Sequence, residues 1–208
     1  MVELSAMSFS FSVGKQIPGR MGRSGTISTP HGEIKTPAFI PVGTKATVKS
    51  ALPDSIHGSG AQAILSNAYH LYLQPGADIL DEAGGLGRFM NWNKPTFTDS
   101  GGFQVMSLGV GFKKVIDMGG DSVNSNEVIA EKKERLAHVD DDGVTFKSHL
   151  DGSMHRFTPE ISMQVQHKIG ADIIFAFDEL TTLHHSRSYQ DSSLERTRLW
   201  AIRCLAEH

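Results

Sequence analysis

The stretch Thr96-Phe97-Thr98-Asp99-Ser100-Gly101-Gly102-Phe103-Gln104 gathers groups that can handle a small polar ring. Phe97 between two threonines suits a strand. Asp99 arrives where that strand should end. Ser100 offers a hydroxyl, and Gly101-Gly102 lets backbone N–H groups approach a ligand closely. Phe103 adds a flat aromatic face. A carboxylate, a hydroxyl, amides and an aromatic ring so close together suit a flat heterocycle carrying N–H donors. The same residues also suit a tight glycine turn with an aspartate capping the next helix. A second apolar run, Ala171-Asp172-Ile173-Ile174-Phe175-Ala176-Phe177, ends in another acidic pair, Asp178-Glu179.

Residues at the ends of apolar runs need a scaffold that lines those ends up. Four such runs occur: residues 38–42, 61–67, 96–98 and 171–177. Each carries polar residues at its C-terminal end: Thr44, then Asn67 and His70, then Asp99, then Asp178. Helical segments fall between them. Pro53 opens one that Gly58 or Gly60 ends, Pro75 opens another stopped by Gly84-Gly85, and Thr158-Pro159 opens a third ended by Gly170. Residues 186–208 form a last helix, with Leu194, Thr197, Ala201, Cys204 and Leu205 as its buried stripe. Buried strands alternating with helices mean parallel βαβ units, and such folds keep their sites at the strand C-termini. No Gly-x-Gly-x-x-Gly follows the first run, so a (β/α) barrel is preferred to a dinucleotide fold. A full barrel takes eight units and ~250 residues. Four units correspond to the first half of a TIM barrel.

The remaining segments are additions to that frame. Residues 1–21 read as a flexible tail, and residues 22–208 as the half-barrel. A hairpin falls at 26–36 around Pro30-His31-Gly32, and another at 144–157 around Asp151-Gly152-Ser153. Residues 113–136, rich in Lys, Glu, Asp, Asn and Ser, read as an insertion on the surface.

Composition narrows the function classes. The 208 residues carry a net charge of −3, so nucleic acid contact would need a local basic patch. Cys204 is the single cysteine, which excludes an internal disulfide framework and a cysteine-rich zinc site within this sequence. It fits a reducing, cytoplasmic setting. No signal peptide or membrane-spanning stretch is expected.

A family likeness now emerges. Thr36-Pro37-Ala38-Phe39-Ile40-Pro41-Val42-Gly43-Thr44 and Thr98-Asp99-Ser100-Gly101-Gly102-Phe103-Gln104-Val105-Met106-Ser107-Leu108 resemble the tRNA-guanine transglycosylases, or queuine tRNA-ribosyltransferases. Asn67-Ala68-Tyr69-His70-Leu71, Gln74-Pro75-Gly76, Phe146-Lys147-Ser148-His149-Leu150-Asp151-Gly152-Ser153 and Phe177-Asp178-Glu179 fit as well, in order. The resemblance implies a TIM barrel that exchanges the wobble guanine of tRNA for a 7-deazaguanine, queuine or its precursor, in queuosine modification. It makes Asp99 the proton acceptor and a base-binding residue. Ser100, Gly101 and Gly102 then line the base pocket, Phe103 stacks on the base, and Asp178 grips the guanine edge. It also implies tRNA as partner and zinc in full-length members. The nucleophilic aspartate and the Cys/His zinc ligands of the family have no counterpart in this sequence. Leu180 stands where bacterial members have a cysteine, and Thr182 replaces a usual proline.

Two functions of different class follow. One is a transglycosylase segment holding the base pocket without the nucleophile. The other is a non-catalytic tRNA-binding or assembly partner of such an enzyme. Either would work as a homo-oligomer or with a complementing chain. Other polar groups have ordinary roles: Arg196, Arg198 and Arg203 read as solvated, Asp140-Asp141-Asp142 as exposed, His184-His185 as a solvated loop, and Trp92 and Trp200 as packing. Lys45 and Lys49 are the better candidates for phosphate contact.

Overall fold

The structure, a computed structural model, describes residues 9–110, 137–181 and 185–208. The chain divides into two compact units, one of Met1–Asp99 with Gln164–Phe175, the other of Ser100–Met163 with Ala176–His208. The insertion read at 113–136 lies outside the described residues except for its neighbours, and so do Thr182 and His184.

The first unit opens with an antiparallel sheet, β1 (Ser10–Gln16), β2 (Arg23–Thr29) and β3 (Gly32–Thr36). β2 and β3 are the hairpin expected from the sequence, tightened so that Gly32, at φ +128°, already pairs with Thr29. β1 was read as tail. It pairs with β2, Phe11 opposite Ile27 and Val13 opposite Gly25. All seven of its residues are exposed, so the strand rests on ladder hydrogen bonds rather than on a buried face.

The parallel strands are shorter than the apolar runs that announced them. β4 (Ile64–Ser66) and β5 (Thr96–Thr98) pair in parallel, Ile64 with Thr96 and Ser66 with Thr98. Val42 bridges Leu65 on one side, and Phe97 bridges Ile173 on the other. Four segments therefore lie side by side in chain order. Pro37 and Pro41 lack N–H groups, which stops the first from forming a full ladder. In the fourth, the buried Asp172 carboxylate accepts from the Thr96 N–H (2.9 Å), the Thr96 hydroxyl (3.2 Å) and His31 Nδ1 (2.6 Å). Gln166, fully buried, accepts from the Thr98 hydroxyl and the Phe175 N–H and donates to the Phe175 carbonyl. Its side chain therefore ties β5 to the fourth segment.

Four short helices connect these strands: α1 (Pro53–Gly58), α2 (Ala68–Leu73), α3 (Ala77–Glu82) and α4 (Leu86–Phe89). α3 starts two residues after Pro75, because Gly76 at φ +114° serves as its N-cap. Ile34, Ile64, Tyr69, Leu71, Leu80, Leu86 and Trp92 fill the core.

The second unit begins with α5 (Gly102–Val110). A three-stranded antiparallel sheet follows, β6 (Ala137–Val139), β7 (Val144–Lys147) and β8 (Met154–Phe157). The β7–β8 hairpin was expected, whereas β6, directly after the segment read as an insertion, was not. α6 (Pro159–Ile169) is shared, its residues from Gln164 onward counting with the first unit. α7 (Arg187–Glu207) is capped by Ser186, whose hydroxyl accepts the Tyr189 N–H. Phe146, Phe157, Phe177 and Trp200 form an aromatic core. Phe146 and Phe157 meet edge to face at 5.3 Å between centroids, and Phe177 stacks on Trp200 at 5.1 Å. Such pairs contribute about 0.5–1.5 kcal/mol each beyond their burial.

The buried stripe of α7 is not the one expected. Leu194 and Leu205 are 71% and 77% exposed, and the buried residues are Ser193, Trp200 and Cys204, with Thr197 half-buried. Trp200 decides the face, since it is by far the largest group to hide. Two hydroxyl residues in the stripe break the apolar pattern that sequence reading depends on.

Candidate functional site

In the first unit, β5 delivers Asp99 one residue beyond its end. The Asp99 N–H donates to the Ser66 carbonyl at 3.3 Å, continuing the pairing with β4. The carboxylate accepts from the Ala68 N–H at 2.8 Å and from the Asn67 side-chain amide. Asp99 thus satisfies the start of α2, the helix that follows β4. Each carboxylate oxygen accepts one of these two hydrogen bonds.

In the second unit, Ser100 and Asp178 meet directly. The Ser100 hydroxyl donates to Asp178 Oδ1 at 2.9 Å and accepts the Gly102 N–H at 3.2 Å. The Ser100 carbonyl accepts the Ser162 hydroxyl at 2.8 Å, which fastens the loop to α6. Gly101 holds φ +82°, a region that a side chain would strain. Gly102 has a different reason to be glycine: a Cβ there would lie 2.5 Å from the Asp178 carbonyl oxygen and 2.9 Å from Asp178 Oδ1. Phe103, in the first turn of α5, keeps its ring 47% exposed. Asp178 is exposed, and among the described residues its Oδ2 accepts no hydrogen bond, so one oxygen is held and the other is uncommitted. Asp178 can therefore accept from N–H donors while keeping its orientation.

The predicted residues thus fall into two groups. Asp99 belongs to the first unit with Asn67 and Ala68, and Ser100, Gly101, Gly102, Phe103 and Asp178 belong to the second. A cavity of about 240 Å³ in the first unit contains none of them. It is lined by His31, Glu33, His57, Gln62, Lys94 and Pro95 among others, before β4 and β5 rather than after them.

A family model described as queuine tRNA-ribosyltransferase matches residues 19–208. The chain belongs to the queuine tRNA-ribosyltransferase family. It is 50% identical over 184 residues to a queuine tRNA-ribosyltransferase of Herpetosiphon aurantiacus, covering 88% of this chain and 41% of that protein. It is 46% identical over 202 residues to one of Roseiflexus sp., covering 97% and 49%. Another from Halothermothrix orenii is 47% identical over 202 residues, covering 97% and 48%. The chain therefore spans less than half the length of these relatives. The motifs that carried the resemblance lie inside the span matched to the queuine tRNA-ribosyltransferase family.

Sequence reasoning missed several ion pairs of the second unit. Arg196, read as solvated, is only 18% exposed and pairs with the fully buried Glu179 carboxylate. It also reaches Asp141 at 3.1 Å. Burial opposes its charge, but the hydrogen bonds to Glu179 and Asp141 outweigh that and raise its pKa. Arg203 grips Glu160 with two bonds of 2.7 and 2.8 Å. In the acidic run, Asp140 pairs with Arg156, and its carboxyl is held at about 2 by that bond. Arg198 meets Glu195 on the surface. Lys45 donates to the Gln74 side chain. The complementary charges of Glu179 and Arg196, 17 residues apart, were the one signal in the sequence. Trp92 and Trp200 are 3% and 0% exposed, packing residues as expected.

Proposed function

We propose that this chain carries the base-recognition part of a tRNA-guanine transglycosylase, which exchanges the wobble guanine of tRNA for a 7-deazaguanine. The observation that carries the reading is the Ser100–Asp178 pair, an exposed carboxylate oriented through one oxygen, with an exposed aromatic ring on α5 and family membership beside it. Asp178 accepts from the ring N–H and exocyclic amine of guanine. Ser100, Gly101 and Gly102 bring hydroxyl and backbone close to the base, and Phe103 stacks on it, an interaction of ~1–3 kcal/mol. The target nucleotide has to leave its stack to be reached.

The exchange breaks the ribose–guanine bond and forms a carboxylate–ribose ester. The incoming base then displaces that ester through its ring nitrogen and loses a proton. Asp99 is the acceptor of that proton, and Asn67 and the Ala68 N–H orient its carboxylate for the task. We place the attacking carboxylate outside this chain. The parallel segments in chain order suit the first half of a (β/α)8 barrel, with β4 and β5 as its second and third strands. Zinc, implied by the family, would be held elsewhere in a longer protein. Among the described residues no group of three His, Cys, Asp or Glu side chains could hold a metal ion, and the chemistry assigned to this chain uses none. The described helices include none long and apolar enough to cross a membrane.

The test is guanine binding by this chain in calorimetry, together with exchange of radiolabelled guanine into unmodified tRNA. Asp178→Asn keeps the shape but replaces one acceptor with a donor. Lost charge-assisted hydrogen bonds of ~1.5–3 kcal/mol predict a loss of affinity of about tenfold or more. Binding unaffected by Asp178→Asn sinks the base-pocket reading. Exchange by the chain alone, abolished in Asp99→Ala, would mean that the nucleophile is present after all. Binding of tRNA without any binding of guanine would favour a non-catalytic partner subunit.

A further inference from the structure

Asp178 lies between two residues whose backbones are pinned to the same helix. The Phe177 N–H donates to Cys204 Sγ at 3.2 Å, and the Glu179 N–H donates to the Thr197 hydroxyl at 3.1 Å. The Phe177 ring is stacked on Trp200 of that helix. Only Asp178 in this tripeptide is exposed. The Glu179 carboxylate is fully buried, although it touches neither Ser100 nor any other group named above for base binding. A buried carboxylate is costly unless both its oxygens are engaged by donors. Here both are: one accepts the Tyr189 hydroxyl at 2.6 Å and the other the Arg196 guanidinium. All four anchors, Tyr189, Arg196, Thr197 and Cys204, come from α7. Arg196 is itself held by Asp141, whose carbonyl also accepts the Trp200 indole N–H at 2.7 Å.

We propose that Glu179 is a positioning residue for base recognition, locked by Tyr189 and Arg196 of α7 so that the Asp178 carboxylate is presented in one register to the guanine edge. This rests on the reading of Asp178 as the base-gripping residue. Unlocking Glu179 frees the tripeptide to rotate, and Asp178 then loses the geometry that lets one carboxylate take two neighbouring donors. The Ser100 bond alone fixes a single oxygen. A general loss of stability would weaken all ligands alike. A loss of register would weaken most the ligand that offers both donors.

The experiment compares guanine with hypoxanthine, which lacks the exocyclic amine, as calorimetric ligands of the full chain. The variants are Glu179→Gln, Arg196→Gln and the milder Tyr189→Phe, with Asp178→Asn as control and thermal melting of each variant alongside. The expected result is that Glu179→Gln and Arg196→Gln reduce the preference for guanine over hypoxanthine about tenfold, and Tyr189→Phe a few-fold, in protein that remains folded. Arg196→Lys should recover part of the preference. Variants that melt earlier but keep the guanine preference within twofold would show a purely structural pair and overturn the proposal. If Glu179→Gln does not fold, Tyr189→Phe decides by the same ratio. Wild-type chain without guanine binding, or binding indifferent to Asp178→Asn, removes the base-pocket reading and this proposal with it, a result distinct from failure of the lock alone.

Discussion

Gly102 illustrates how one missing methyl group can tie two distant parts of a sequence together. An alanine there would favour α5 by up to ~1 kcal/mol on helix propensity. Its Cβ would nevertheless lie 2.5 Å from the Asp178 backbone oxygen. Gly102→Ala should therefore push Asp178 aside and weaken guanine binding at least tenfold by calorimetry; an affinity within twofold of wild type would show that the loop yields freely. Much of this site was legible in the sequence. The grouping of an aspartate, a hydroxyl and a glycine pair at a strand end was readable without any coordinates. The reason for each glycine was not, because Gly101 answers to its own backbone angle and Gly102 to an atom 76 residues later. Asn67 shares the difficulty: a single amide at the end of an apolar run gives no sign that it will meet Asp99.

Between elements, charge pairs take over where apolar stripes are narrow. α6 and α7 are joined within the second unit by Glu160 and Arg203, and the guanidinium holds the Glu160 carboxyl at about 2. A carboxylate whose pKa is lowered on folding stabilises at pH above its ordinary range of about 4.3, and that contribution is lost as pH falls toward 2. Asp140, with Arg156, behaves in the same way. The melting temperature should therefore decline between about pH 4.5 and 2. Glu160→Gln should lose up to ~1 kcal/mol at neutral pH, the modest value of a partly exposed pair, and show a shallower acid slope. Equal slopes in both proteins would remove Glu160 from the account. The position of α7 itself was readable from its cap and length, but its rotation about its axis was not. A tryptophan outweighs several leucines in choosing which side to bury.

At the scale of the whole molecule, the leucines left outside acquire meaning. Leu194, Leu199, Ile202 and Leu205 are all exposed on α7, on the arc away from Trp200 and Cys204. Phe9, just before β1, alternates with Phe11 and Val13 within it, all also exposed. Soluble monomers rarely leave such apolar runs uncovered. Self-association of this chain, rising with concentration in light scattering, is the expected behaviour, and Leu199→Glu with Ile202→Glu should reduce it. A monomer at all concentrations would mean that these side chains stay wet. The parallel pairing of β4 with β5 was foreseen, because apolar runs with polar ends survive translation into structure, whereas the first and fourth runs make only isolated bridges to them. β1 was not foreseen, although the alternation of Phe9, Phe11 and Val13 with serines was a strand signal open to reading.

Cys204 makes the hold of α7 on Asp178 observable. Its thiol is 2% exposed, accepts the Phe177 N–H, and is pushed to a higher pKa by burial. As the single cysteine of the chain, it is a natural stopwatch. A thiol-specific dye can react only in the moments when the helix lifts from the segment bearing Asp178. The labelling rate under native conditions then measures how often that segment comes loose, with no mutation. Guanine bound through Asp178 should slow the clock, and a rate unchanged by saturating guanine would show that the segment breathes independently of the base.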